Sequence, residues 1–183
     1  DTITADTLKV NLIAIFAVFA VLLITMKSLI LPVILVFAIE AAIWINMGIP
    51  YFQDSIVQYI AYLIISSIQL GATVDYAILF TDRYLENRKS LSKKQSIVET
   101  VSSVTTSIFT SGTVLAVVGF LLNGFSTHGI LKQLGLFLGR GTILSMVSVF
   151  FVLPGLLYIF DLVIQHANIN FSFKRKGKVK NNE

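Results

Sequence analysis

Asp75 and Tyr76 lie in the run "IVQYIAYLIISSIQLGATVDYAILF", residues 56–80, in which Asp75 is the one charged residue. The next basic residue is Arg83, eight positions on, so along a helix Asp75 sits about 12 Å in from the charged loop. A carboxylate at that depth in a bilayer costs about 2.5 to 3.5 kcal/mol on insertion scales. A cost of that size is offset by a partner or by a function. Burial disfavours the ionised form of any carboxylate, and a nearby cation or file of water restores it. Protonation that depends on surroundings is the property a proton carrier needs. Gly71 at i−4 and Ala72 at i−3 place two small side chains on the Asp75 face, which leaves room for a second helix. The Tyr76 hydroxyl can donate, accept or hand on a proton. The competing reading is an aspartate that only hydrogen-bonds a neighbouring helix.

Three further groups carry polar chemistry. Ser103, Ser107 and Ser111 recur at i, i+4 and i+8, with Thr106 and Thr110 in an adjacent row. They mark the fourth helix as the neighbour of Asp75. Ser107, Thr110 and Ser111 are a candidate supporting polar face, either for tight packing or for a narrow wet path. Glu40 is a second intramembrane carboxylate, without a glycine at i−4 or a tyrosine beside it. His128 and His166 fall at opposite faces of the membrane and cannot share a metal. The chain has no cysteine and no nucleophile–base, phosphate-loop or nucleotide motif. A secondary active transporter is expected rather than an enzyme, with no metal or organic cofactor and with protons as the coupling ion.

These residues are positioned by membrane helices. Of 183 residues, 55% are hydrophobic and 13% charged, with mean hydropathy +0.82, a balance that points to a membrane protein. A span needs about 20 apolar residues and must be helical in lipid. The pattern predicts an all-α polytopic fold with helices over 10–26, 29–47, 56–80, 101–122 and 130–163. Residues 1–9 read as the end of an extracytoplasmic segment, 10–163 as the transmembrane domain and 164–183 as a basic cytoplasmic tail. Residues 81–100 read as a cytoplasmic amphipathic connector lying on the inner leaflet. Gly135 and Gly139 form a small-xxx-small pair for close packing. Arg140 is expected to snorkel to the outer interface rather than pair with Asp75, and Pro154 to bend or loosen the last helix. Eleven Lys and Arg residues fall on one side of this topology and two, Lys9 and Lys132, on the other. The bias places the N-terminus outside and the tail in the cytoplasm. Basic residues beside apolar spans give no footing for nucleic acid. The start at Asp1 suggests a piece of a longer protein.

"GATVDYAILFTDRYLENRK" resembles the GxxxDY helix of MMPL (mycobacterial membrane protein large) transporters, in the resistance–nodulation–division superfamily. "TSIFTSGTVLAVVGFLL" and "LGLFLGRGTILSMVSVFFVLPGLL" resemble the two helices that follow it, and the likeness extends from the first helix through Leu157. The resemblance implies five helices of a half-transporter, of the second half on the strength of the basic tail. It implies a partner half, absent from this chain, whose own Asp-Tyr pair faces this one. It further implies inward proton flow driving export of lipids, drugs or other hydrophobic compounds across the bacterial cytoplasmic membrane. Asp75 would then be the proton carrier, Tyr76 its hydrogen-bond partner and Gly71 the packing position. A superfamily relative that couples protons to protein export, and a lipid- or sterol-sensing membrane module, are the alternatives. Topology is testable directly. In intact cells an impermeant thiol reagent should label Ser55→Cys and spare Ser92→Cys; the reverse pattern would invert the orientation.

Overall fold

The computed structural model describes residues 2–26, 28–52 and 59–164. Every element among them is helical: α1 Thr2–Met26, α2 Ile30–Phe52, α3 Tyr59–Asn87, α4 Lys93–Phe125 and α5 Gly129–Val147. After α5 the chain continues through a π-helical turn, Ser148–Val152, and on helically over 153–164. Gly129–Ile164 is therefore one rod, and the chain has five helices long and apolar enough to cross a membrane. The expected all-α, five-span architecture is the one observed.

The helix ends differ from expectation. Residues 81–100 do not form a separate surface helix. They are divided between the last turns of α3 and the first turns of α4, around a short turn at 88–92. The physical reason is capping: Ser92 opens α4 with a reciprocal capping box to Gln95, which starts the helix at Lys93 and leaves no chain for a connector. α2 runs on through Pro50 to Phe52 instead of ending at 47. The π turn falls immediately before Leu153 and Pro154. Proline lacks the N–H that would close an α-helical bond and crowds the preceding turn, so the widened turn sits where Pro154 was expected to loosen the helix. The expected tail lies outside the described residues.

α4 turns one stripe inward: Ser96, Thr100, Val104, Ile108, Gly112, Ala116 and Gly119 are its buried residues. Their spacing of three and four keeps them on one face. α4 packs most extensively on α5. At that contact the helices meet backbone to backbone. A Cβ on Gly119 would lie 2.5 Å from the Gly139 nitrogen, and one on Gly135 would lie 2.5 Å from the Gly119 carbonyl oxygen. The Gly135–Gly139 pair thus packs as its spacing implied. Elsewhere the core is aliphatic and aromatic, with Leu35, Ile39, Phe80, Tyr84 and Leu153 fully buried. α1 shows the opposite character: Leu12, Ile13, Phe16 and Ile24 are exposed, an apolar surface suited to lipid or to another membrane body rather than to water.

Gly119→Ala should destabilise the bundle by about 1 to 3 kcal/mol through overpacking. Gly155→Ala, where an added Cβ meets nothing within 4 Å, should be neutral or slightly stabilising. Unfolding of the purified protein in mixed detergent checks both.

Candidate functional site

α3 has two faces of opposite character. Ile65, Gln69, Thr73, Tyr76, Phe80 and Tyr84 are buried against the rest of the bundle. Ser67, Gly71, Asp75 and Asp82 are exposed on the other side. Asp75 accordingly points away from the core, and no described side chain hydrogen-bonds or ion-pairs with it. Gly71 is likewise open: an added Cβ there meets nothing within 4 Å. Among the described residues no helix occupies the gap that Gly71 leaves beside Asp75. Tyr76 belongs to the core cluster, 9% exposed, and the structure does not bring its hydroxyl to Asp75. Consecutive helical residues diverge by about 100°, so a Tyr facing inward leaves its neighbouring Asp facing out.

The hydroxyl rows of α4 are also exposed at Ser103, Thr106, Ser107, Thr110 and Ser111. Ser111 Oγ donates to the Ser107 carbonyl at 2.9 Å, and Ser103 Oγ to the Thr100 carbonyl at 3.0 Å. These bonds stay within α4, and among the described residues none of Ser107, Thr110 and Ser111 bonds to Asp75. Glu40 lies elsewhere. Its Oε2 accepts from Trp44 Nε1 at 2.9 Å, while Oε1 is buried with no partner among the described residues. It borders an apolar groove of about 570 Å³ lined by Phe19, Val33, Val36, Phe37 and Trp44.

Two polar layers that the sequence did not single out hold α3 in place. The first centres on Arg140. Pro50 lacks the N–H that would bond the Asn46 carbonyl. Arg140 Nη2 supplies that bond at 3.0 Å, and Arg140 Nε donates to Asn46 Oδ1 at 2.8 Å. Asn46 Nδ2 then donates to Gln69 Oε1 at 2.7 Å and to the Phe137 carbonyl at 3.1 Å. Gln69 Nε2 reaches the Gly141 carbonyl at 3.3 Å, and Thr73 and Ser145 share a 2.6 Å hydrogen bond. Gly141 is required here, because a Cβ would fall 2.5 Å from Asn46 Nδ2. Apart from the half-buried Arg140, the network is buried, and it ties α2, α3 and α5 together. Arg140 was expected to snorkel. The structure instead clamps it on Asn46, since a guanidinium with a freed carbonyl in reach satisfies two groups at once.

The second layer lies at the end that carries the α3–α4 turn. Asp161 is 2% exposed. It accepts from Tyr84 Oη at 2.6 Å and from Arg88 Nε and Nη2, each at 3.1 Å. The two-pronged bond to Asp161 holds the Arg88 guanidinium even more firmly protonated than usual. Lys93 Nζ rests 3.9 Å from the centre of the Tyr158 ring, a cation–π contact that brings the start of α4 to the same place. A signal for this layer was present. Asp161 follows Arg140 by 21 residues, about 31 Å of helix, the thickness of the hydrocarbon core. Among the described residues no three His, Asp or Glu group closely enough to hold a metal ion.

A bundle of five membrane-length helices with polar layers near its ends has the architecture of a multi-pass membrane protein. The chain belongs to the MMPL family, whose model matches residues 1–175. No curated protein matches it.

Arg88→Met would strand a buried carboxylate and should cost about 3 to 5 kcal/mol. Arg83→Met removes an exposed pair with Glu86, whose side chains are 54% and 62% exposed, and should cost less than about 1 kcal/mol. Denaturant midpoints of the two variants compared with the parent test the difference.

Proposed function

We propose that this chain is the membrane half of a proton-driven exporter of lipids or other hydrophobic compounds, and that Asp75 is its proton carrier. The observation that carries the reading is the placement of Asp75. It is a carboxylate within a membrane-length helix, on the face turned away from the chain's own core, with no partner among the described residues. Hydrocarbon would leave such a group unsolvated. A second membrane body over this face, the other half of the transporter, would cover it and could supply the counter-group or the water. The open surface at Gly71 suits that approach. The protein sits in the bacterial cytoplasmic membrane with its basic tail in the cytoplasm, as the distribution of Lys and Arg favours. Tyr76 would reach Asp75 by a change of rotamer or helix rotation within the cycle.

A second reading, a lipid- or sterol-sensing module, draws on the groove beside Glu40, whose apolar lining and single unpaired oxygen suit a hydrophobic molecule with a polar end. Proton movement separates the two, since a sensing module needs none.

In the full-length protein, Asp75→Asn should abolish both proton uptake and efflux of a fluorescent hydrophobic dye from energised vesicles, at unchanged protein levels. Tyr76→Phe should slow both. Gly71→Leu should leave this half folded, because the space is open within it, and should still block transport. Uncoupler-sensitive efflux that survives Asp75→Asn would move the proton site elsewhere, with Glu40 next to be replaced.

A further inference from the structure

Asp82 and Glu86 are the other carboxylates in the exposed stripe of α3 that carries Ser67, Gly71 and Asp75, and of the two Glu86 is ion-paired, to Arg83. Asp82 lies seven residues after Asp75, so these two project within about 20° of one direction and stand about 10 Å apart along the axis. Among the described residues no cation pairs with Asp82. Its neighbour Arg83 is bonded to Glu86 at 2.8 Å, and Arg88 turns to the opposite side of α3 to reach Asp161 at 3.1 Å. No described side chain hydrogen-bonds or ion-pairs with Asp82. On its own helix it has Ile78 and Leu79 on the preceding turn, and Leu85 with the already paired Glu86 on the next. No titratable group from α1, α2, α4 or α5 is bonded to it, because those helices pack on the buried face of α3.

We propose that Asp82 is the station at which a proton released by Asp75 is received before it leaves for the water at the α3–α4 turn; this rests on the reading of Asp75 as the carrier. Direct transfer across about 10 Å is too far for one hydrogen bond, so water between this face and the body covering it links the two carboxylates. The balance is simple. Protonated Asp75 gives its proton to that water file, ionised Asp82 takes one from it, and Asp82 then gives it to bulk water. Asp75 and Asp82 both end ionised and one proton has crossed. The freedom of Asp82 from Arg83 and Arg88 is what suits it to the task. A carboxylate locked to a guanidinium holds its ionised form and exchanges protons poorly.

The test uses the full-length transporter in liposomes, with a pH-sensitive dye and an impermeant buffer on the side of the α3–α4 turn. Asp82→Asn should slow proton uptake by about a hundredfold, the usual worth of a positioned proton-transfer group, and Asp82→Glu should stay within about threefold of the parent. The Asn variant should speed up as the buffer concentration is raised, because free buffer replaces the missing acceptor; the parent should not. Asp82→Ser serves in the same way if the Asn variant fails to accumulate. An Asn variant at parental rate, with Asp75→Asn inactive, would overturn the station and leave the carrier standing. A slow Asn variant insensitive to buffer would also overturn it and make Asp82 structural. Parental uptake by Asp75→Asn would overturn the carrier itself.

Discussion

Hydrocarbon accepts and donates no hydrogen bonds, so a membrane bundle must meet its polar demands from within. Much of this chain follows from that rule. The carbonyl that Pro50 leaves open on α2 is met by Arg140 of α5. The Asn46 amide is met by Gln69 and Phe137, and the buried carboxylate of Asp161 by a tyrosine and an arginine. Ser148 Oγ, at the π turn, donates to the Ala38 carbonyl at 3.0 Å. Against so much internal satisfaction, the groups left unmet are conspicuous. Among the described residues they are Asp75 and Asp82 on the open stripe of α3, one oxygen of Glu40, and the buried hydroxyls of Ser28 and Thr81.

α3 is held firmly on one side and left free on the other. Gln69 and Thr73 tie its buried face to α5 through one polar layer, and Tyr84 does so through the other. Asp75 lies between these anchor points on the reverse face. The arrangement fixes the position of a carboxylate on a face that the described residues leave open. α4 and α5, in contact through glycines with almost no side chain between them, form the most closely approached pair. The π turn lies between the Arg140 layer and the Asp161 layer. A widened turn is the softer part of a helix, so the two layers are joined by the least regular stretch of α5.

The number and type of elements were legible because a span is a local property: about 20 apolar residues in a row need no partner to be recognised. The specific motif was legible for a similar reason, since one charge in an apolar run stands out wherever the helix packs. Gly135 and Gly139 announced close packing by spacing alone. Ends were less legible. Ser92 caps α4 through Gln95, and Pro50 is absorbed into α2 because Arg140 bonds the Asn46 carbonyl, the first contact local and the second spanning 94 residues. Asn46, Gln69 and Asp161 passed unmarked because each is unremarkable until its partner is known.

The sequence by itself determined that this is a helical membrane protein, that Asp75 lies within a span, and which residue types share a helical face. Those are consequences of composition and of the 3.6-residue period. Which face turns inward was decided only in the folded bundle. Tyr76 and Asp75 are adjacent in the chain, yet one is core and the other looks outward. Ser103 and Ser111 of α4, likewise, bond to their own backbone, and among the described residues Asp75 has no partner. Helix rotation is set by the summed packing of every neighbour, with Gly119 against Gly139 and Asn46 against Arg140. No periodicity along a single segment contains that sum.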